Sequence, residues 1–342
     1  MQKLDLKNKL KQFEGALSPF LLLKNYNING DMYMTKEDFA NIIYGFAVGD
    51  ALGVPYEFSA HKIKEIKKLK YKSGGTHLQA KGVYSDDTAL MLATMDTMPS
   101  MQYKKNCGFL NYEVLFNAFK NWLEKGSYSA TGYVFDVGYS TNLALKGEYK
   151  NKQIGDNNYE GNGSLTRIIP FAIFSLYKTF EEKKDIIFKA SSVTHSSKIA
   201  CWCCLIYSEF LILLLKYPDK TKEEVFKILH DELIKEAPKE YSYLFSLELK
   251  EAKEEMIRPS GHVPETLKTV FWLFLNYDSY ENALRKTIQL GNDTDTIGAL
   301  IGALIATKYS ETLSKKLVKK LRNKDLIDKM INKFWSFFIS TL

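Results

Sequence analysis

Gly291-Asn292-Asp293-Thr294-Asp295-Thr296-Ile297-Gly298-Ala299-Leu300-Ile301-Gly302-Ala303-Leu304 joins two signals that are rarely adjacent. From Ile297 onward every residue is apolar or glycine, and Gly298 and Gly302 stand four apart, which places both on one side of a helix. Glycine inside a helix costs about 1 kcal/mol relative to alanine, so a stripe of it implies close helix approach or a ligand lying near the backbone. Directly before the apolar run come two carboxylates and two hydroxyls, Asp293 to Thr296. Each signal recurs, but on separate segments: Gly45, Gly49 and Gly53 stripe one apolar segment, and Ser85-Asp86-Asp87-Thr88 precedes another, Ala89-Leu90-Met91-Leu92. The expectation is that the two glycine-striped helices lie at the centre and bring their N-terminal ends toward one site.

Outward from these segments, apolar residues recur at three- and four-residue spacing. The runs are Ala40 to Leu52, Ala89 to Met98, Tyr112 to Leu123, Ile168 to Tyr177, Lys198 to Leu215, Glu223 to Ile234, Pro264 to Leu275, Asn282 to Leu290, Thr296 to Thr307 and Asp325 to Phe338. Alternating runs are scarce and no Pro- or Ser-rich linker divides the chain, which favours an all-α globule over a two-domain α/β arrangement. Residues 1–34 read as an irregular leader, and Thr35 with Asp38 as a capping box that opens a single domain over 35–342. The apolar stretch Cys201 to Tyr217 contains Glu209 and falls short of the roughly 20 residues of a bilayer span, so it is expected to be a buried central helix.

Hydrophobic residues make up 45% of the 342, enough for a substantial core and unlike a disordered chain. The formal charge of +7 comes with lysines in mixed-sign runs such as Lys62 to Lys70 and Lys315 to Lys324, read here as solvated helix faces rather than a nucleic-acid surface. Four Cys, three of them clustered as Cys201, Cys203 and Cys204 in an apolar run, make no disulfide framework and read as small core residues. With no signal-type or spanning segment, the expectation is a cytoplasmic monomer with no membrane partner.

Asp, Ser and Thr are ordinary helix caps, so one acidic cluster at a helix start is explained by capping. Two clusters, each with two carboxylates and a hydroxyl, exceed that need, because adjacent carboxylates repel unless a cation neutralises them. Four carboxylates offset two divalent ions, and all-oxygen ligands select Mg²⁺ or Mn²⁺ before Zn²⁺. Gly161-Asn162-Gly163-Ser164, expected at the start of a helix entered through Ile168, reads either as a phosphate-holding turn or as a plain one. His195, in the turn before another apolar helix, reads equally as structural or functional. Asp50 lies within the glycine-striped helix, and Glu57 stands just past its Pro55 end, where a carboxylate is poorly placed for the helix dipole and a role beyond stability is plausible.

Seven ordered blocks between Phe39 and Tyr309 resemble the ADP-ribosylglycohydrolases: GFAVGDALGVPYEF (45–58), YSDDTAL (84–90), SATGYVFDVGYST (129–141), GNGSLTRIIP (161–170), THSSKIA (194–200), SGHVPETL (260–267) and GNDTDTIGALIGAL (291–304). The resemblance implies a compact orthogonal multi-helix globule. It implies two Mg²⁺ or Mn²⁺ ions on Ser85, Asp86, Asp87, Asp293, Asp295 and Thr296, in agreement with the ligand count reached from charge. It further implies diphosphate and distal-ribose contacts at Gly161, Asn162, Gly163 and Ser164, with His195, Gly261 and His262 near the ligand. The implied activity is hydrolysis of the glycosidic bond at ribose C1 of an ADP-ribosylated target. An arginine linkage is favoured because SATGYVFDVG is most similar to the enzymes acting on dinitrogenase reductase. Serine, nucleic-acid-base or small-metabolite linkages, or a non-catalytic ADP-ribose-binding relative, are the alternatives. Asp136 and Glu57, two of the block carboxylates that the metal count does not use, are the two candidates for proton transfer. Ser85 stands where Thr is common and keeps the hydroxyl, while His262 stands where an aromatic residue often follows the glycine.

Overall fold

A computed structural model describes residues 34–59, 66, 68–101, 110–149 and 155–342. The expected leader, apart from Met34, lies outside them. Among the described residues there are thirteen α-helices and no β-strand: α1 (Lys36–Gly53), α2 (Asp86–Thr97), α3 (Tyr112–Lys125), α4 (Tyr139–Leu145), α5 (Ile169–Phe174), α6 (Phe180–Ser192), α7 (Lys198–Lys216), α8 (Lys222–Glu236), α9 (Val263–Asn276), α10 (Tyr280–Leu290), α11 (Thr294–Lys308), α12 (Lys315–Val318) and α13 (Lys324–Thr341). The main hydrophobic core takes side chains from Met34 to Phe338, and a small second cluster joins Tyr56, Ile66 and Ile288.

The capping box at α1 is present: Thr35 N donates to Asp38 Oδ2 at 2.8 Å and Asp38 N to Thr35 Oγ1 at 3.1 Å. Pro55 sits in the 3-10 turn Val54–Tyr56 that follows α1. Helix α11 is buried on all sides from Thr294 to Ala306, and its partner is α1. A Cβ on Gly45 would lie 2.5 Å from the carbonyl oxygen of Gly302, and one on Gly298 would lie 2.7 Å from that of Gly49, both closer than real side chains come. The order of these contacts makes the helices antiparallel. The expectation that both N-terminal ends point at one site is therefore corrected. Close backbone contact along the whole glycine stripe brings the C-terminal end of α1 to the N-terminal end of α11, where Thr294 Oγ1 donates to Gly53 O at 2.8 Å.

All ten expected helices occur, with one much shorter. Helix α5 ends at Phe174, and Ser175 Oγ bonds back to Ala172 O at 3.0 Å, an alternative to helix continuation. Helices α4, α6 and α12 were not anticipated. In α6 the consecutive apolar residues Ile186, Ile187 and Phe188 blur the helical period, although Thr179 and Glu182 form a capping box at its start. In α7, the one described helix long and apolar enough to cross a membrane, every residue from Ile199 to Leu214 is buried, as expected of a central helix. Its Cys201, Cys203 and Cys204 are free buried thiols, and burial pushes Cys204 up to about 12. Phe210 of α7 meets Phe226, Phe271 and Phe274 edge-on at 5.1 to 5.5 Å, which ties α8 and α9 to it.

Candidate metal centre and substrate cleft

Asp50, buried in the last turn of α1, anchors the start of α2. Its carboxylate accepts the Ser85 and Thr88 backbone N–H groups at 2.9 and 3.1 Å and the Thr88 hydroxyl at 2.5 Å. Burial raises it to about 7 against the lowering effect of these bonds. Asp50 thus fixes where Ser85, Asp86 and Asp87 stand. Ser85 is the cap of α2, accepting from Asp87 N at 3.2 Å, so the two carboxylates beside it are not needed for capping. At α11 the capping explanation fails further, because the Asp293 side chain accepts no backbone bond from its own helix. Thr296 joins the clusters by donating its hydroxyl to Asp87 Oδ2 at 2.9 Å, and its N–H bonds Asp295 Oδ1 at 2.9 Å.

Asp293 Oδ1 and Asp295 Oδ2 are buried with no hydrogen-bond partner. Oxygen atoms of Asp293, Asp295 and the 3%-exposed Glu57 lie within 4.8 Å of one another. Unpartnered buried carboxylate oxygens facing further carboxylates are unfavourable by several kcal/mol without a cation. The titration behaviour agrees. Burial and then the Asp136 and Asp293 charges push Glu57 up to about 10. Asp87 and Asp295 are raised by burial and by neighbouring carboxylates, as is Asp86 at the edge of the cluster. Asp293 is raised by burial, partly offset by the bond from Asn162. The donor set, all oxygen with two hydroxyls in support, fits hard divalent ions. Glu57 belongs with this group by distance, a place that the sequence reading did not give it.

Glu57 also faces His77, whose Nε2 is 2.5 Å from Glu57 Oε2 and 3.7 Å from Asp136 Oδ2. His77 was not singled out from the sequence. The signal for it was Gly74-Gly75 just before: Gly75 has φ +77°, and the loop packs so tightly on Pro55 that no side chain fits there. Thr76 Oγ1 then donates to Glu57 O at 2.6 Å, seating the loop. Asp136 itself holds φ +52°, an unusual conformation for a residue with a side chain and one that concentrates at functional sites.

The glycine segment leads into a turn over Gly163 to Arg167, and the helix expected through Ile168 follows it, α5 beginning at Ile169 with Ile168 as its cap. Thr166 and Arg167 are buried within the turn and Pro170 sits in the first turn of α5, so no helix N-terminus backs Gly161 to Ser164. The segment pairs instead with the Gly261 strip: Asn162 N donates to Gly261 O at 3.0 Å and Val263 N to Glu160 O at 2.8 Å. Asn162 Nδ2 reaches Asp293 Oδ2 at 2.7 Å, which ties this turn to the acidic centre. His195, 1% exposed, lies under the turn, and a Cβ on Gly161 would stand 3.3 Å from its Nε2. Ser164 is fully buried and points inward, its hydroxyl near Ser191 Oγ at 2.9 Å and Cys204 Sγ at 3.4 Å. His262 is half exposed and bonds Glu160 at 2.9 Å.

The chain matches the ADP-ribosylglycohydrolase family over residues 33–340. It is similar to the ADP-ribosylarginine hydrolase Tri1 of Pseudomonas putida (strain GB-1), 29% identical over 261 residues, which are 75% of this chain and 66% of that relative. The ADP-ribosyl-[dinitrogen reductase] glycohydrolase of Rhodospirillum rubrum is 24% identical over 75% of this chain and 80% of its own length. The chain thus spans just under two thirds of the Pseudomonas relative. A solved structure described as an ADP-ribosylglycohydrolase-related protein complex shares the fold at TM-score 0.71 and 21% identity, covering 89% of this chain and 98% of that one. A family match over nearly the whole chain, on a fold that gathers both acidic clusters, establishes that this protein belongs to the ADP-ribosylglycohydrolase family.

Proposed function

We propose that the protein hydrolyses the bond at ribose C1 that joins ADP-ribose to an arginine side chain of a target protein. The observation that carries this reading is the buried Glu57, Asp293 and Asp295 cluster with its two unpartnered oxygens, beside a glycine turn linked to it through Asn162. The arginine linkage is supported by two relatives named as ADP-ribosylarginine hydrolases. Two Mg²⁺ or Mn²⁺ ions would be held by Ser85, Asp86, Asp87, Asp293, Asp295 and Thr296, with Glu57 at the same centre. When bound, they supply positive charge for vicinal hydroxyls and lower the pKa of a water.

The chain's own groups do the rest. Backbone N–H groups of Gly161, Gly163 and Ser164 bind the diphosphate, the Asn162 N–H being held by Gly261 O, with His195 beneath and His262 beside them. Asp136, whose side chain is 21% exposed against 4% for Glu57, sits nearer the opening and moves the proton, and His77 holds both carboxylates in place. Glu57 as the proton-transfer group is the second reading, supported by its burial and its raised pKa.

The test is ADP-ribose release from substrates linked through arginine, serine, a nucleic-acid base or a small metabolite. Release is expected from the arginine substrate first. Preference for another linkage would overturn the arginine assignment, and tight ADP-ribose binding with no release from any substrate would show a binding protein instead.

A further inference from the structure

The two lysine-rich runs assigned above to solvated faces are far apart in the chain, yet the described end of the first lies against the second. Together they line a cleft of about 790 Å³. Lys68, Lys70 and Lys81 come from one side, and Lys316, Lys319, Lys320 and Arg322 from the other, with the buried Tyr71, Leu317 and Leu321 at the base. The two sides are joined by Tyr71 Oη donating to Leu317 O at 3.1 Å and Arg322 N to Gly82 O at 2.9 Å.

Several lysines elsewhere meet carboxylates, as Lys183, Lys222, Lys250, Lys286 and Lys333 do. Among the described residues, none of the seven cationic heads in the cleft is in an ion pair or hydrogen bond. The one acid lining it, Glu281, is taken by Arg285 at 2.5 Å. Seven cations less Glu281 leave +6 here, against +7 for the entire chain. The rest of the molecule is close to neutral, so its excess charge is spent on one concave surface.

The character of the cleft narrows the ligand. Lysine binds phosphate as a flexible point charge. The tyrosines of the cleft, Tyr71 and Tyr280, are 6% and 1% exposed and offer no face for stacking a base. A run of linked phosphates brings a charge on every group, whereas a peptide must bring a whole residue for each carboxylate into the same volume. We propose that this cleft binds a phosphate-rich polyanion through its phosphates, either a free polyphosphate chain or the backbone of a single nucleic-acid strand.

Fluorescence anisotropy of a short labelled DNA strand with the full chain tests this, with tripolyphosphate and poly-glutamate as competitors. If about four phosphates are neutralised, affinity should fall about 50-fold between roughly 50 and 200 mM salt. The Lys316→Glu/Lys319→Glu/Lys320→Glu variant should bind at least about 10-fold more weakly at an unchanged melting temperature. Lys68→Glu/Lys70→Glu repeats the test from the other side should the first variant fail to fold. Displacement by tripolyphosphate as effective as by unlabelled strand identifies free polyphosphate as sufficient; a clear advantage for the strand identifies the nucleic acid. Displacement by poly-glutamate as effective as by either phosphate ligand, no binding at all, or binding that survives both reversals would overturn the proposal.

Discussion

Glu57 and Asp136 meet at His77, and replacing each carboxylate separates their roles. Asp136→Asn should cut turnover by about 10² to 10⁴-fold while ADP-ribose and both ions still bind, as for loss of an acid/base group. Glu57→Gln should lower ion affinity together with turnover, because Glu57 shares the centre of Asp293 and Asp295. Single-turnover rates and ion titrations of both variants check this; a Glu57→Gln protein that keeps its ions but loses turnover would reverse the assignment. Asp50→Ala should destabilise the fold by about 2 to 4 kcal/mol and weaken ion binding, since two backbone N–H groups and a hydroxyl lose a charged acceptor. Denaturant melts and ion titration of that variant show whether Asp50 positions α2. At this scale, carboxylates beside hydroxyls at helix starts were legible because local capping cannot use them all. The contacts of Asp50 and His77 were not, since their partners lie 35 and 20 residues away; Gly74-Gly75 marks the loop that carries His77 but not what it meets.

Helices α1 and α11 touch backbone to backbone, so their glycines tolerate little. Gly298→Leu should destabilise by at least about 1 to 3 kcal/mol, because even its Cβ would press on Gly49 O. Gly147→Ala, with nothing within 4 Å of the added carbon, should be close to neutral. Equal denaturation midpoints for the two variants would show that the stripe is not a contact. The four-residue glycine spacing announced this interface, but not its direction. Helix polarity depends on how the intervening chain returns, and side-chain periodicity is the same for parallel and antiparallel neighbours. The turn at Gly161 and the helix entered through Ile168 were legible, but the burial of Thr166 and Arg167 between them was not, because it comes from tertiary contacts that the local pattern does not reveal.

For the molecule as a whole, the acidic centre couples stability to pH and, on the proposed reading, to divalent ions. In the ion-free protein, Asp50 is raised to about 7 and Glu57 to about 10, both by burial first, so the folded state holds protons that the unfolded state has released. Such groups stabilise fully below their unfolded pKa values and lose that contribution as pH rises through the folded ones. The ion-free melting temperature should therefore fall between about pH 5 and pH 8, and the rise on adding Mg²⁺ should be larger at the higher pH. An ion-induced rise that shrinks as pH increases would mean that cations do not relieve the carboxylates. The all-helical class and ten of the described helices were legible from periodicity, whereas α4, α6 and α12 and the convergence of the two lysine runs appeared only once the chain was folded. The central claim, that both acidic clusters form one ion-dependent hydrolytic centre, is tested most directly by assaying ADP-ribose release from ADP-ribosyl-arginine while counting bound divalent ions per chain. Wild-type protein should bind two ions and lose release on EDTA treatment, with recovery in Mg²⁺ or Mn²⁺, and Asp295→Asn should lower ion binding and release together. Full release from EDTA-stripped protein would contradict the claim.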